Sequence, residues 1–138
     1  MAKMMCEIYG RAAGCNGGKG GSMHIADFSV GMLGANGVVA AGIPIATGAA
    51  HALKLQGSDA IVACFFGDGA INRGPFLEGL NWAQVYGLPV LFVCEDNGLG
   101  ISVRTPPGWC EARLRAIPST EYFAADGTDL CAVWDVAS

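Results

Sequence analysis

Residues 60–97 hold the feature that most restricts how this chain can fold. Two short apolar runs, Ile61 to Phe66 and Pro89 to Cys94, flank a helix-compatible segment from about Gly74 to Tyr86. Two strands joined by a helix of that length read as a βαβ unit with parallel strands. Parallel strands finish at the same edge of their sheet, and each of these finishes in a polar residue: Asp68 in Gly67-Asp68-Gly69, and Asn97 in Glu95-Asp96-Asn97. The two side chains can therefore meet in one crevice. Both runs are nearly continuous in apolar residues, which predicts strands covered on both faces.

The Gly67-Asp68-Gly69 triplet suggests a chemistry for that crevice. Glycines on either side of a carboxylate let the backbone turn sharply and present amide hydrogens to an oxyanion, while Asp68 offers a hard oxygen to a divalent cation. The same triplet occurs in ordinary turns, so alone it leaves both readings open. At 138 residues the chain, 1–138, is expected to form a single domain. It is 52% hydrophobic but only 14% charged, against roughly 25% in soluble domains, which predicts surface that meets other protein chains. The net charge of −4, with no cluster of lysine and arginine, argues against nucleic acid as a partner. No stretch has the length and apolarity of a membrane span, and the first residues lack a signal-peptide pattern. Six cysteines occur, none in a C-x-x-C pair, and Cys64 and Cys94 lie inside the apolar runs. They read as reduced, structural thiols of a cytoplasmic protein.

Ahead of the βαβ unit, Ala2 to Arg11 can form a short helix with Met4, Met5 and Ile8 on one face. It runs into the glycine-rich stretch Gly14 to Gly21, which is either a phosphate-cradling loop or a flexible surface loop; it lacks the spacing of a nucleotide-binding P-loop. His24 has no partner spacing for a catalytic triad and reads as a structural histidine, as does His51 in the helical segment Ile43 to Leu55. The small residues from Gly31 to Gly42 suit either a ligand platform or a tight helix contact. On the crossover helix, Glu78 either faces solvent or pairs with a partner subunit. Beyond Val103 the expectations are a turn at 104–108, a short helix at 110–117 and a third strand at Tyr122 to Ala125. A terminal helix containing Leu130, Val133, Trp134 and Val136 would follow, capped by Thr128 or Asp129.

The phrases GGKGGSMH at 17–24, GANGVVAAGIP at 34–44, GDGAINRGPFLEGLNWA at 67–83, LPVLFVCEDN at 88–97 and DGTD at 126–129 together resemble a known family. It is the alpha subunit of thiamine-diphosphate-dependent 2-oxo acid dehydrogenase E1 components, of pyruvate, acetoin and branched-chain type. The resemblance implies an α/β architecture, a partial thiamine-diphosphate-binding fold with a mostly parallel sheet flanked by helices. It implies that Asp68, the Asn97 side-chain oxygen and the Leu99 carbonyl hold Mg²⁺, and that the Gly69 and Ala70 amides bind the diphosphate of thiamine diphosphate. Backbone groups at Gly37 and Val39 would meet the aminopyrimidine ring. In this family the activating glutamate comes from an E1 beta-type subunit, so the resemblance assigns no catalytic residue to this chain. The further implied partners are a lipoyl-bearing E2 component and a second copy in a homo-oligomer.

Two positions depart from the family pattern: Arg73 stands for the usual Gln and Leu99 for the usual Tyr. The second is tolerable where only the carbonyl binds metal. The match in length implies a truncated alpha-like subunit. Two other readings accompany this one. The first is a non-catalytic, self-associating protein that keeps the fold. The second is a transketolase-like N-terminal fragment, since that family shares the GDG, EG and DN pieces.

Overall fold

A computed structural model describes residues 1–118 and 120–138. The chain forms two compact units, Met1–Gly42 and Ile43–Ser138.

In the first unit, helix α1 spans Ala2–Ile8. The apolar face expected there is inverted: Met4, Met5 and Ile8 are exposed, and Glu7 is the buried residue of the helix. Its carboxylate accepts hydrogen bonds from the amides of Asn16, Gly18 and Gly20. The glycine-rich stretch is thus neither of the two loops expected, because its amides close on an anion belonging to the chain. Burial raises the Glu7 carboxyl, but the amide bonds from Gly18, Gly20 and Asn16 outweigh it and hold the group below its ordinary value. Farther on, Asp27 caps a single 3₁₀ turn at Phe28–Val30.

The second unit is built on helix α2 (Gly42–Leu55), strand β1 (Val62–Gly67), helix α3 (Gly74–Tyr86) and strand β2 (Val90–Glu95). This is the expected βαβ unit, mixed α/β with a short parallel sheet. Pro75 opens α3, and Gly87, in the left-handed region at φ 54°, closes it. The buried face of α3 is Phe76, Gly79, Leu80 and Ala83, the i, i+3, i+4, i+7 spacing of one helical stripe. Its neighbour is α2. A Cβ on Gly79 would come within 2.7 Å of Ile43 Cγ2, so only glycine admits this approach. The Thr47 hydroxyl lies 2.9 Å from the Ile43 carbonyl and 3.3 Å from that of Gly79, satisfying a buried polar group between the helices.

At the other end of the pair, Lys54 Nζ donates to the carbonyls of Tyr86 and Gly87 at 2.5 and 3.1 Å. That satisfies the last acceptors of α3. His51 Nδ1 accepts the Trp82 indole N–H at 3.1 Å, and its ring lies 4.9 Å from that of Tyr86. His51 is structural, as its place in a helix implied. Glu78 is exposed.

β1 and β2 pair in parallel from Val62↔Val90 to Gly67↔Glu95. Cys64 is buried, and Phe66 meets Phe76 edge-on at 5.8 Å. On the alternate face, however, Ile61, Phe65 and Leu91 are exposed. The expectation of two covered faces therefore holds for one face only.

β2 is followed by a two-strand hairpin absent from the expectations, β3 (Leu99–Gly100) with β4 (Val103–Arg104). Its first connecting residue, Ile101, sits in the left-handed region at φ 62° and is 93% exposed. A β-branched residue there is strained by about 1–2 kcal/mol, and its side chain contributes almost no burial in return. Ile101→Gly is therefore expected to raise stability by up to about 1 kcal/mol once the entropy of glycine in the unfolded chain is subtracted. A higher urea midpoint for the variant is the sign to look for; a lower one would overturn the argument.

The remaining elements are α4 (Trp109–Arg115) and α5 (Leu130–Ala137). α5 is capped as expected, by Asp129, whose carboxylate accepts from the amides of Cys131 at 2.9 Å and Ala132 at 3.2 Å. The third strand expected at Tyr122–Ala125 does not form; that segment is irregular, and the parallel sheet has two strands among the described residues. No helix among the described residues is long and apolar enough to cross a membrane.

Candidate functional site

The parallel register ends at Gly67↔Glu95, so the chain leaves both strands at one edge. From β1 it enters the 3₁₀ turn Asp68–Asn72, in which the Asp68 side chain is 1% exposed and Ala70 is buried. Asp68 Oδ2 accepts a hydrogen bond from Thr105 Oγ1 at 2.7 Å. From β2 the chain makes two successive side-chain turns: Asp96 Oδ1 accepts from the Gly98 amide at 3.0 Å, and Asn97 Oδ1 from the Leu99 amide at 2.9 Å. The β3–β4 hairpin then returns Thr105, whose amide donates to the Gly98 carbonyl at 3.0 Å.

The two strand ends touch. A Cβ on Gly69 would lie 3.1 Å from the Gly100 Cα, so the Gly67-Asp68-Gly69 turn and the hairpin meet backbone to backbone. The structure thereby brings Asp68, Gly69 and Ala70 to the same edge as Asn97 and Leu99. An open depression of about 530 Å³ lies there, lined by Asp96, Asn97, Leu99, Arg104, Thr105 and Pro106 among others. Asn97 is exposed within it, and Asp68 adjoins it through Thr105.

Three residues with oxygen donors come to this edge: Asp68, whose buried carboxylate accepts from Thr105, Asn97, whose amide oxygen accepts from the Leu99 amide, and Leu99, with Arg104 among the residues lining the depression. Among the described residues no cluster of three or more His, Cys, Asp or Glu gathers as a self-sufficient metal site. Such a donor set suits a hard cation that completes its octahedron with oxygens of a bound anion. Cys94, near the end of β2, adds no nucleophile. Burial first, and then the charges of Asp96, Asp68 and Glu95, push its thiol up to about 11 against the lowering effect of the neighbouring Cys110. Burial likewise pushes Cys110 up. All six cysteines are free.

The other predicted binding residues, Gly37 and Val39, lie in the first unit and are exposed. The Val38 amide between them bonds to Asn36 Oδ1 at 2.8 Å, which sets the turn. Beside Gly37 stand Met23 and His24: a Cβ on Gly37 would lie 2.9 Å from Met23 Cε and 3.2 Å from His24 Cε1. Sequence reasoning missed two residues. Thr105 precedes a Pro-Pro pair and carried no motif, and Glu7 lies in a short helical segment read from Met4, Met5 and Ile8 alone.

Comparison with known proteins bears on the whole of this geometry. The family model described as "Dehydrogenase E1 component" matches residues 1–137. The alpha subunit of acetoin:2,6-dichlorophenolindophenol oxidoreductase from Bacillus subtilis is 47% identical over 139 residues, covering 97% of this chain and 41% of the relative. The protein of the same name from Cupriavidus necator is 48% identical over 140 residues, with the same coverage. The mitochondrial pyruvate dehydrogenase E1 component subunit alpha type I of Ascaris suum is 39% identical, covering 96% of this chain and 33% of its own length. The chain thus spans about two fifths of the length of the bacterial relatives it matches. The family match sets aside the transketolase-like reading. By model match and by identity along nearly all of its residues, this chain belongs to the dehydrogenase E1 component family, aligned with the family's alpha subunits.

Proposed function

We propose that the chain carries the diphosphate-side half of a thiamine diphosphate site, as part of an E1 alpha-like subunit of a 2-oxo acid dehydrogenase of pyruvate or acetoin type. The observation that carries this reading is the meeting of Asp68 and Gly69 with Asn97–Gly100 at one strand edge. Asp68, the Asn97 oxygen and the Leu99 carbonyl would hold Mg²⁺, and the Gly69 and Ala70 amides would donate to the diphosphate. Gly37 and Val39 would meet the aminopyrimidine ring with backbone groups. When bound, the cofactor supplies the carbon nucleophile that decarboxylates a 2-oxo acid and hands the acyl group to a lipoyl group of E2.

In this scheme the residues of the chain bind and orient; none of them moves a proton. A beta-type subunit would supply the activating glutamate, and the full assembly would include that subunit, the lipoyl-bearing E2 and a second alpha copy. The free thiols fit a reducing compartment, which we take to be the cytoplasm. Calorimetric titration of thiamine diphosphate into the chain tests the reading. Weak binding that requires Mg²⁺ and disappears with chelator is expected, while heat that is the same with and without the metal would exclude this site.

The exposed Ile61, Phe65 and Leu91 favour a second reading, a non-catalytic protein that associates with itself through the bare sheet face. Light scattering coupled to size-exclusion chromatography separates the two: a monodisperse monomer excludes the second reading, whereas an oligomer without cofactor affinity excludes the first.

A further inference from the structure

We infer that Glu7 is a positioning residue: it fixes the glycine-rich loop and, through it, sets Met23 and His24 against Gly37. The inference rests, for its link to cofactor, on the reading of Gly37 as part of the cofactor platform.

A charged side chain in a fully buried position is costly unless it is paired or hydrogen-bonded. Glu7 is 0% exposed. The Arg115–Glu111 pair is the one salt bridge among the described residues, so no cation balances Glu7 directly. Backbone dipoles compensate instead. Glu7 Oε2 accepts from the amides of Asn16 and Gly18, each at 2.8 Å, and Oε1 accepts from that of Gly20 at 2.6 Å. Three amides converging on one carboxylate form a backbone anion nest whose anion is built into the chain. The loop is shaped to close on it: a Cβ on Gly14 would lie 2.7 Å from the Glu7 Cα, and one on Gly18 would lie 2.5 Å from the Gly10 carbonyl carbon.

The order imposed by Glu7 passes onward through Asn16. While the Asn16 backbone amide is held by the carboxylate, its side-chain Nδ2 donates to the His24 carbonyl at 2.5 Å. The His24 amide in turn donates to the Gly20 carbonyl at 3.2 Å. His24 is thus tied from both sides to loop residues that Glu7 holds. Its ring and the Met23 methyl are the groups that stand beside Gly37. Met23 and His24 are both exposed, so little packing of their own fixes them. A continuous path of hydrogen bonds therefore runs from a buried carboxylate to the edge of the platform, all within the first unit.

The test uses the full 138-residue chain and the near-isosteric Glu7→Gln, in which one acceptor oxygen becomes an NH₂ donor. Amide hydrogen exchange and the side-chain NMR resonances of Met23 and His24 give a readout independent of cofactor. In Glu7→Gln, exchange at Asn16, Gly18 and Gly20 is expected to accelerate at least about ten-fold, with shifts in the Met23 methyl and His24 ring signals. Unchanged exchange and unchanged signals would overturn the inference. Should the variant fail to fold, the wild-type chain still decides: its Asn16, Gly18 and Gly20 amides must exchange at least about ten-fold more slowly than those of the exposed Ser22 and Met23, and equal rates refute the inference. With Mg²⁺ present, Glu7→Gln is also expected to weaken thiamine diphosphate binding roughly ten-fold, the size of effect outer-shell partners have elsewhere. A wild-type chain that gives no titration at all would count against the platform reading of Gly37, while the exchange data judge Glu7 separately.

Discussion

Asp68→Asn is expected to abolish magnesium-dependent binding of thiamine diphosphate while leaving the chain folded. Asparagine is isosteric with aspartate and keeps one side-chain oxygen, so the Thr105 hydroxyl, now 2.7 Å from Asp68 Oδ2, retains an acceptor. What is lost is the negative charge. Among the groups proposed to hold the metal, Asp68 is the only carboxylate, beside the neutral Asn97 side-chain oxygen and the Leu99 main-chain carbonyl. A hard divalent cation draws much of its binding energy from anionic oxygen, so a neutral oxygen in place of the carboxylate is a poor substitute. Loss of affinity by at least about 100-fold is expected, beyond the roughly 10–100-fold that follows loss of an outer-shell partner. Titration with Mg²⁺ present measures the affinity, and circular dichroism checks the fold. Retained magnesium-dependent binding in a folded Asp68→Asn chain would remove Asp68 from the site.

The parts of this site that follow from local pattern were legible in the sequence. Apolar runs bounded by glycine and proline placed β1, α3 and β2 to within a residue or so, because Gly87 stops the helix by its own backbone preference and Pro75 starts it by its own fixed angle. Parallel pairing then put Asp68 and Asn97 at one edge without further information. The cap of α5 by Asp129 was equally local. What failed depended on partners far along the chain. Tyr122–Ala125 has the composition of a strand, yet strand propensity is chiefly a fit to neighbouring strands, and among the described residues no strand pairs with it. The apolarity of Phe65 and Leu91 suggested a second cover for the sheet, but a run of apolar residues records the capacity for burial and not its source. Thr105 reaches Asp68 only because a two-residue hairpin folds it back. Glu7 is buried only because a loop of glycines brings three amides to it, and the helical spacing of Met4, Met5 and Ile8 pointed to the wrong face.

Phe76→Ala is expected to cost about 3–5 kcal/mol, the range for removing a fully buried aromatic ring from a packed core. Phe76 is 0% exposed and meets Phe66 of β1 edge-on, so its ring joins the crossover helix to the sheet whose edge carries Asp68. The cavity left behind has little means of collapse. On one side α3 is held to α2 by the Gly79 contact with Ile43, and at its end by the bonds from Lys54. Total stabilities of small domains are about 5–15 kcal/mol, so a loss of this size takes a large share of what keeps the unit folded. Leu77→Ala, one residue along on the exposed side at 47% accessibility, is the matched control and is expected to cost under about 1 kcal/mol. Urea denaturation followed by circular dichroism measures both. Equal losses for the two variants would mean that α3 is buried on the Leu77 side as well, as in an oligomer that covers this face. A large difference identifies the Phe66–Phe76 contact as the packing that carries the strand ends, and with them Asp68 and Asn97, into their shared position.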